Sequence, residues 1–134
     1  MIVVDTSAIV AVLFEEDDSQ VLHEILLGER CVMSAATRVE AGIVIEARAG
    51  AEGTLLLEEL LQRVGVVVLP VDEELASEAM TAWRRFGRGR HPAGLNFGDL
   101  FSYALARRLG QPLLHTGKDF SKTDVTRRRT PAAE

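Results

Sequence analysis

The chain has 134 residues, 47% of them hydrophobic, with a formal net charge of -5 and a single cysteine. That length supports one compact domain rather than two, and no apolar run approaches the roughly 20 residues needed to cross a bilayer, nor does a basic leader with a cleavage pattern open the chain, so a cytoplasmic protein with no membrane partner is expected. A lone Cys31 excludes an intramolecular disulfide, His23, His91 and His115 lack zinc-site spacing, and the acidic balance argues against binding nucleic acid through bulk charge.

In chain order, Ile2-Val3-Val4 is a β-branched strand signal, and Asp5 leaves its carboxyl end, followed by Thr6, Ser7 and an apolar run. Residues 6–14 and 19–27 read as two helices joined by the acidic turn Glu15-Glu16-Asp17-Asp18, the second closing at Gly28. Residues 30–33 give a second short strand in which Cys31 is a buried, unreactive position. Helices over 35–49 and 54–64 follow, separated by Gly50-Ala51-Glu52-Gly53, with Ser34 capping the first. Counting by three and four from Glu40 reaches Ala36, Ile43, Val44 and Ala47, which places this carboxylate on an apolar face.

Val66-Val67-Val68-Leu69 is the clearest strand, stopped by Pro70. Asp72 caps a helix through Phe86, with Leu75, Ala79, Ala82 and Phe86 on one stripe and Trp83 beside it. The breaker-rich segment 87–94 is a loop that leads by Leu95-Asn96 into a helix over 97–109, whose first turn holds Asp99. Leu113-Leu114-His115 is a short buried strand, and Thr116-Gly117-Lys118-Asp119 leaves it. A further strand signal lies around Val125. The domain is expected to span 1–126, with 127–134 a basic, flexible tail.

Strands alternating with helices predict an α/β fold with one mainly parallel central sheet, of about five strands, flanked by helices. Such sheets bind ligands outside the carboxyl ends of their strands. There the reading gathers Asp5, Glu40, Asp99 and Asp119. A carboxylate cluster is tolerable only when protonated, paired or bound to a cation, so their joint placement predicts a metal site. Each acid also has an ordinary structural reading: Asp5 and Asp119 as caps of the following turns, Asp99 as a first-turn acid, Glu40 paired with Arg38 or Arg48.

The basic residues are unevenly spread. Arg84, Arg85, Arg88, Arg90 and His91 fall within eight consecutive positions, and the loop 87–94 that carries the last three is a candidate mobile basic lip beside the acids. The competing reading is a solvated helix end and loop. Familiar chemistries are excluded by pattern. Gly117-Lys118 fails as a phosphate loop, because Pro112 stands where its first glycine belongs and Asp119 where its hydroxyl belongs. No Gly-x-Ser-x-Gly or Gly-x-Gly-x-x-Gly occurs. A phosphoacceptor receiver ranks low, since Asp5 stands alone after the first strand and Leu69 is followed by Pro70-Val71.

Four segments carry a family resemblance: Ile2-Val3-Val4-Asp5-Thr6-Ser7-Ala8; the helical Glu40; Leu95-Asn96-Phe97-Gly98-Asp99 with 100–106; and 113–120 from Leu113 to Phe120. In order and spacing, from Met1 to about Val125, they resemble a PIN domain, and more narrowly a VapC-type toxin of a toxin-antitoxin pair. The resemblance implies a five-stranded, mostly parallel sheet and a metal-dependent endoribonuclease that cleaves transfer or ribosomal RNA to inhibit translation and growth. It also implies a homodimer and a VapB-type antitoxin that occludes the active site. By position the family's acidic quartet falls on Asp5, Glu40, Asp99 and Asp119, with Asp124 standing near the fourth. With RNA as the implied substrate, Arg84, Arg85, Arg88, Arg90, His91 and Lys118 become candidate contacts to its backbone or unpaired bases.

Hard oxygen ligands suit Mg²⁺, with Mn²⁺ able to substitute. Thr6, Ser7, Asn96 and Thr116 are candidate donors behind the acids, or plain caps and turn formers. The rival to catalysis is a noncatalytic protein of the same fold that holds RNA or the antitoxin.

Overall fold

The computed structural model describes residues 1–128. Its elements are β1 (Ile2–Val4), α1 (Thr6–Leu13), α2 (Ser19–Gly28), β2 (Cys31–Ser34), α3 (Ala35–Val64), β3 (Val67–Leu69), α4 (Glu73–Phe86), α5 (Phe97–Leu109) and β4 (Leu113–Leu114). Consecutive strands are linked through helices, so all pairings are parallel, in the order β3-β2-β1-β4. Ile2 pairs with Cys31, Val3 with Val32 and Leu113, and Val4 with Leu114.

Strand alternation splits the core in two. Ile2, Val4, Cys31, Met33 and Leu114 face α1, α2 and α3, while Val3, Val32 and Leu113 face α4 and α5. β1 is fully buried because both its faces and both its edges are covered. Burial also pushes the Cys31 thiol up to about 11, which keeps it protonated.

The helices start where capping residues stand. Asp5, Ser34, Asp72 and Asn96 each accept a hydrogen bond from a backbone N–H in the first turn of the helix that follows. The expected break after residue 49 falls at Gly50, whose positive φ of 64° kinks α3 into two helical pieces.

Two expectations need correction. The α/β fold with a parallel central sheet is as expected, and among the described residues that sheet has four strands where about five were expected. Near Val125 the chain forms only an isolated parallel bridge, Leu113 with Arg127, closed by Leu113 N–H to the Thr126 carbonyl and Arg128 N–H to the Leu113 carbonyl. Two residues of β4 give too short an edge for a longer ladder. Arg127 and Arg128 of the predicted tail are thereby tied to the sheet, and the rest of that tail, 129–134, lies outside the described residues.

The second correction concerns α3. Its buried stripe is Thr37, Ala41 and Ile45, whereas Ile43 is 65% exposed and Ala47 is exposed too. Glu40 and its helical neighbours therefore border clefts beside the core instead of packing in it.

Candidate metal centre

Asp5 is both the last residue of β1's exit and the N-cap of α1, and the geometry uses both ends of its carboxylate. Oδ2 accepts from the Ser7 N–H at 3.1 Å and the Ser7 hydroxyl at 2.7 Å, while Oδ1 accepts from the Ser102 hydroxyl at 2.5 Å. The Ser7 oxygen in turn accepts from the Thr116 N–H at 3.0 Å, which ties the exit of β4 to the exit of β1. Ser102 sits 3.3 Å from the Thr37 hydroxyl, and Ser34 donates to Thr37 at 3.2 Å. Three buried hydroxyls thus form a chain from the end of β2 to Asp5.

Glu40 Oε1 accepts from the Thr6 hydroxyl at 2.5 Å. Neither Arg38 nor Arg48 pairs with it among the described residues; Arg48 stands 3.8 Å from Glu16 instead. Asp99 closes a reciprocal cap: its side chain accepts from the Asn96 N–H at 3.0 Å, and Asn96 accepts from the Asp99 N–H at 2.9 Å. One cleft of about 240 Å³ is lined by all four predicted acids together with Thr6, Ser7, Asn96 and Thr116.

The charges in that cleft feel one another. Burial first, then Asp5, Asp119 and Glu40, push the Asp99 carboxyl up to about 7 against the pull of its Asn96 hydrogen bond. Glu40 is raised too, by burial and by Asp5, with Thr6 opposing. Among the described residues no three carboxylate, imidazole or thiol side chains are drawn together tightly enough to be a finished ligand set. The donor chemistry nonetheless fits a hard divalent cation: oxygen ligands only, with Asp5 and Asp99 buried, Glu40 half-buried and Asp119 exposed at the rim, and with Asp5 and Glu40 held from behind by hydroxyls.

Asp124 stands elsewhere. It accepts from the Tyr103 hydroxyl and lies 3.3 Å from Arg85 and 3.7 Å from Arg107, on the outer side of α5. Asp119 is the acid that lines the cleft.

None of the predicted RNA contacts lines it. Arg85 is engaged by Asp124, Arg90 lies over the Trp83 ring at 4.7 Å, and His91 packs edge-on against Phe86. The loop 87–94 is pinned at its ends by a Gly87–Leu95 bridge.

Three contributors to the site, and an apolar groove beside it, escaped sequence reading. Ser102 and Thr37 occupy core-facing positions three residues from Asp99 and Glu40, and hydroxyls there are the signal that a neighbouring acid needs a donor. Glu16 belongs to the acidic turn but also lines the cleft. Beside the cleft, Val39, Ile43 and Phe97 expose 60%, 65% and 77% of their surface and border an apolar groove with Phe101. Other large apolar side chains are exposed too, among them Met80 and Trp83 on α4, where Arg90 lies over the Trp83 ring, and Leu55 and Leu56 on α3.

The family model described as PIN domain matches residues 2–125. A protein called Ribonuclease VapC from Mycolicibacterium smegmatis is 48% identical over 124 residues, covering 92% of this chain and 96% of that one. Ribonuclease VapC30 of Mycobacterium tuberculosis is 44% identical, covering 92% and 95%. Among solved structures, VapC20 of Mycobacterium tuberculosis, described as a sarcin-ricin loop cleaving toxin, superposes with a TM-score of 0.76 at 20% identity, covering 96% of this chain and 99% of that one. A toxin-antitoxin complex from Klebsiella pneumoniae gives 0.65 at 14% identity, covering 92% and 93%. At such identities the structures establish a shared fold.

Proposed function

The chain belongs to the PIN-domain family, alongside the VapC ribonucleases, and from that premise we propose that it is a divalent-metal-dependent endoribonuclease, the toxin of a toxin-antitoxin pair. The observation that carries the reading is the single cleft lined by Asp5, Glu40, Asp99 and Asp119, in which burial and mutual repulsion raise Asp99 to about 7.

These four carboxylates would hold Mg²⁺, or Mn²⁺ in its place. When bound, such an ion supplies positive charge that offsets the phosphodiester's own and acidifies water for in-line attack at phosphorus. The residues do the rest. Ser7 and Ser102 fix the two oxygens of Asp5, Thr6 turns Glu40 toward the cleft, and the Asn96 cap sets the rotamer of Asp99. Glu16 and Asp119 of the cleft lining are exposed, so the cleft opens to solvent, which suits an exposed RNA segment more than a buried small molecule.

The relatives are called ribonucleases, and one structural neighbour is a complex with an antitoxin. By likeness we assign RNA as substrate, a cognate VapB-type antitoxin as the partner that covers the cleft, and a homodimer as the working form. Among the described residues no helix is long and apolar enough to cross a membrane, in keeping with action in the cytoplasm.

Purified wild type and Asp99→Asn, prepared identically, are incubated with transfer and ribosomal RNAs in Mg²⁺ or Mn²⁺, with and without chelator. Discrete cleavage by wild type alone, abolished by chelator, is expected. Equal cleavage by both proteins would refute the assignment of the site, and none by either across the RNA panel would favour a noncatalytic role.

A further inference from the structure

An RNA strand entering this cleft meets five carboxylates, Glu16 included, so its phosphates need cationic contacts beyond any metal. Most described arginines near α4 and α5 are committed away from the cleft: Arg85 to Asp124, and Arg108 to Asp72 and Glu74. Arg48 is different. α1 and α3 run side by side in a repeat of four, Thr6 against Glu40, Val10 and Val44 lining the cleft together, then Phe14 against Arg48.

That repeat places Arg48 at the cleft mouth, about 12 Å of helix rise beyond Glu40. Its guanidinium lies 3.8 Å over the Phe14 ring and 3.8 Å from Glu16, a residue that itself lines the cleft. The ring holds the guanidinium by its face, which leaves its N–H edge to make bonds. The Glu16 pair is half exposed on both sides, and an exposed pair of this kind is weak enough to exchange.

We propose that Arg48 grips a phosphate of the RNA strand that flanks the cleaved one, and that Glu16 holds it in place until the strand arrives. A phosphate offers the fork of Arg48 a bidentate partner, and Glu16 is displaced toward solvent. Arg48 does not itself line the cleft that holds the four acids, so it is assigned a flanking phosphate, as a positioning residue that acts on binding.

The inference rests on the ribonuclease reading, and its test keeps the two apart. A labelled single-stranded RNA that the wild type cuts is titrated with full-length protein in chelator, by fluorescence anisotropy, over a range of salt concentrations. Arg48→Gln should raise Kd about tenfold and flatten the slope of log K against log salt by about 0.7, the signature of one lost phosphate contact on a single strand. With metal restored, KM should rise and kcat stay within about twofold.

Glu16→Gln should tighten binding, and most of that gain should vanish in the Glu16→Gln, Arg48→Gln double variant. An unchanged salt slope in Arg48→Gln, or an equal gain from Glu16→Gln with and without Arg48, would overturn the proposal while leaving the nuclease intact. A wild type that binds and cuts no RNA would overturn both.

Discussion

At the scale of single residues, Asp99 concentrates the conflict between stability and use. Its carboxyl is buried among three others, so its folded value of about 7 stands above the ordinary one of 3.8. A raised folded value means that the folded state holds the proton more tightly than the unfolded chain. The metal-free protein therefore loses stability as pH rises from about 4 through 7, and the loss is complete above 7. A cation must compete with that proton, so Mn²⁺ measured by calorimetry should bind about tenfold more tightly at pH 8 than at pH 6. Asp99→Asn can still accept from the Asn96 N–H but sheds the charge; at pH 8 it should raise metal-free stability by about 1–2 kcal/mol while metal binding and cleavage collapse. An unfolding midpoint below wild type at pH 8 would count against this account. Asp5, Asp99 and Asp119 drew notice in the sequence because each stands at or just past an element boundary, and Glu40 because its helical neighbours are apolar. The sequence did not show Ser102 and Thr37 as their donors, because a hydroxyl on a core-facing helical position has no periodic signature of its own.

Among elements, the closest approach that shapes the cleft is between the first turn of α5 and α3. A Cβ added to Gly98 would lie 1.8 Å from Glu40 Oε2 and 2.4 Å from its carboxyl carbon. Something must shift, and what blocks the way is the end of a flexible side chain. Gly98→Ala should therefore leave the fold's stability within about 1 kcal/mol, since alanine also favours the helix. Glu40 moves instead, away from Thr6 and the cleft, and metal affinity and cleavage should fall by roughly 10- to 100-fold, the usual cost of disturbing ligand orientation. Unfolding curves and Mn²⁺ titration of the same preparation separate the two effects; equal loss of both would show that the contact is structural. The elements themselves were readable at this scale. Ser34, Asp72 and Asn96 announce helix starts, Gly50 announces the kink, and Val66 to Leu69 a strand that begins one residue later, at Val67. The facing of α3 was not readable. Residues 36, 43, 44 and 47 look like a core stripe around Glu40, yet the sheet takes the stripe of Thr37, Ala41 and Ile45, leaving the other to border clefts.

For the whole molecule, that misread stripe borders the exposed apolar patch that lies beside the acidic cleft. Val39, Ile43 and Phe97 are each more than half exposed and flank one groove of about 360 Å³, with Phe101 packed edge-on against Phe97. A monomer rarely leaves such neighbours bare together, because each exposed large side chain forfeits about 1.5–3 kcal/mol of burial. The groove shares Glu40 and Asn96 with the acidic cleft, so a second copy seated there would lie beside the catalytic mouth and lengthen the track open to RNA. The proposed homodimer is accordingly placed on this face. Ile43→Ser with Phe97→Ser removes apolar area from positions already outside the core, so the fold and its thermal midpoint should be kept. Sedimentation at several micromolar concentrations should then show a dimer for wild type and a monomer for the double variant. A wild type that sediments as a monomer throughout, or a double variant that stays dimeric, would move the interface off this face and leave the groove to the antitoxin.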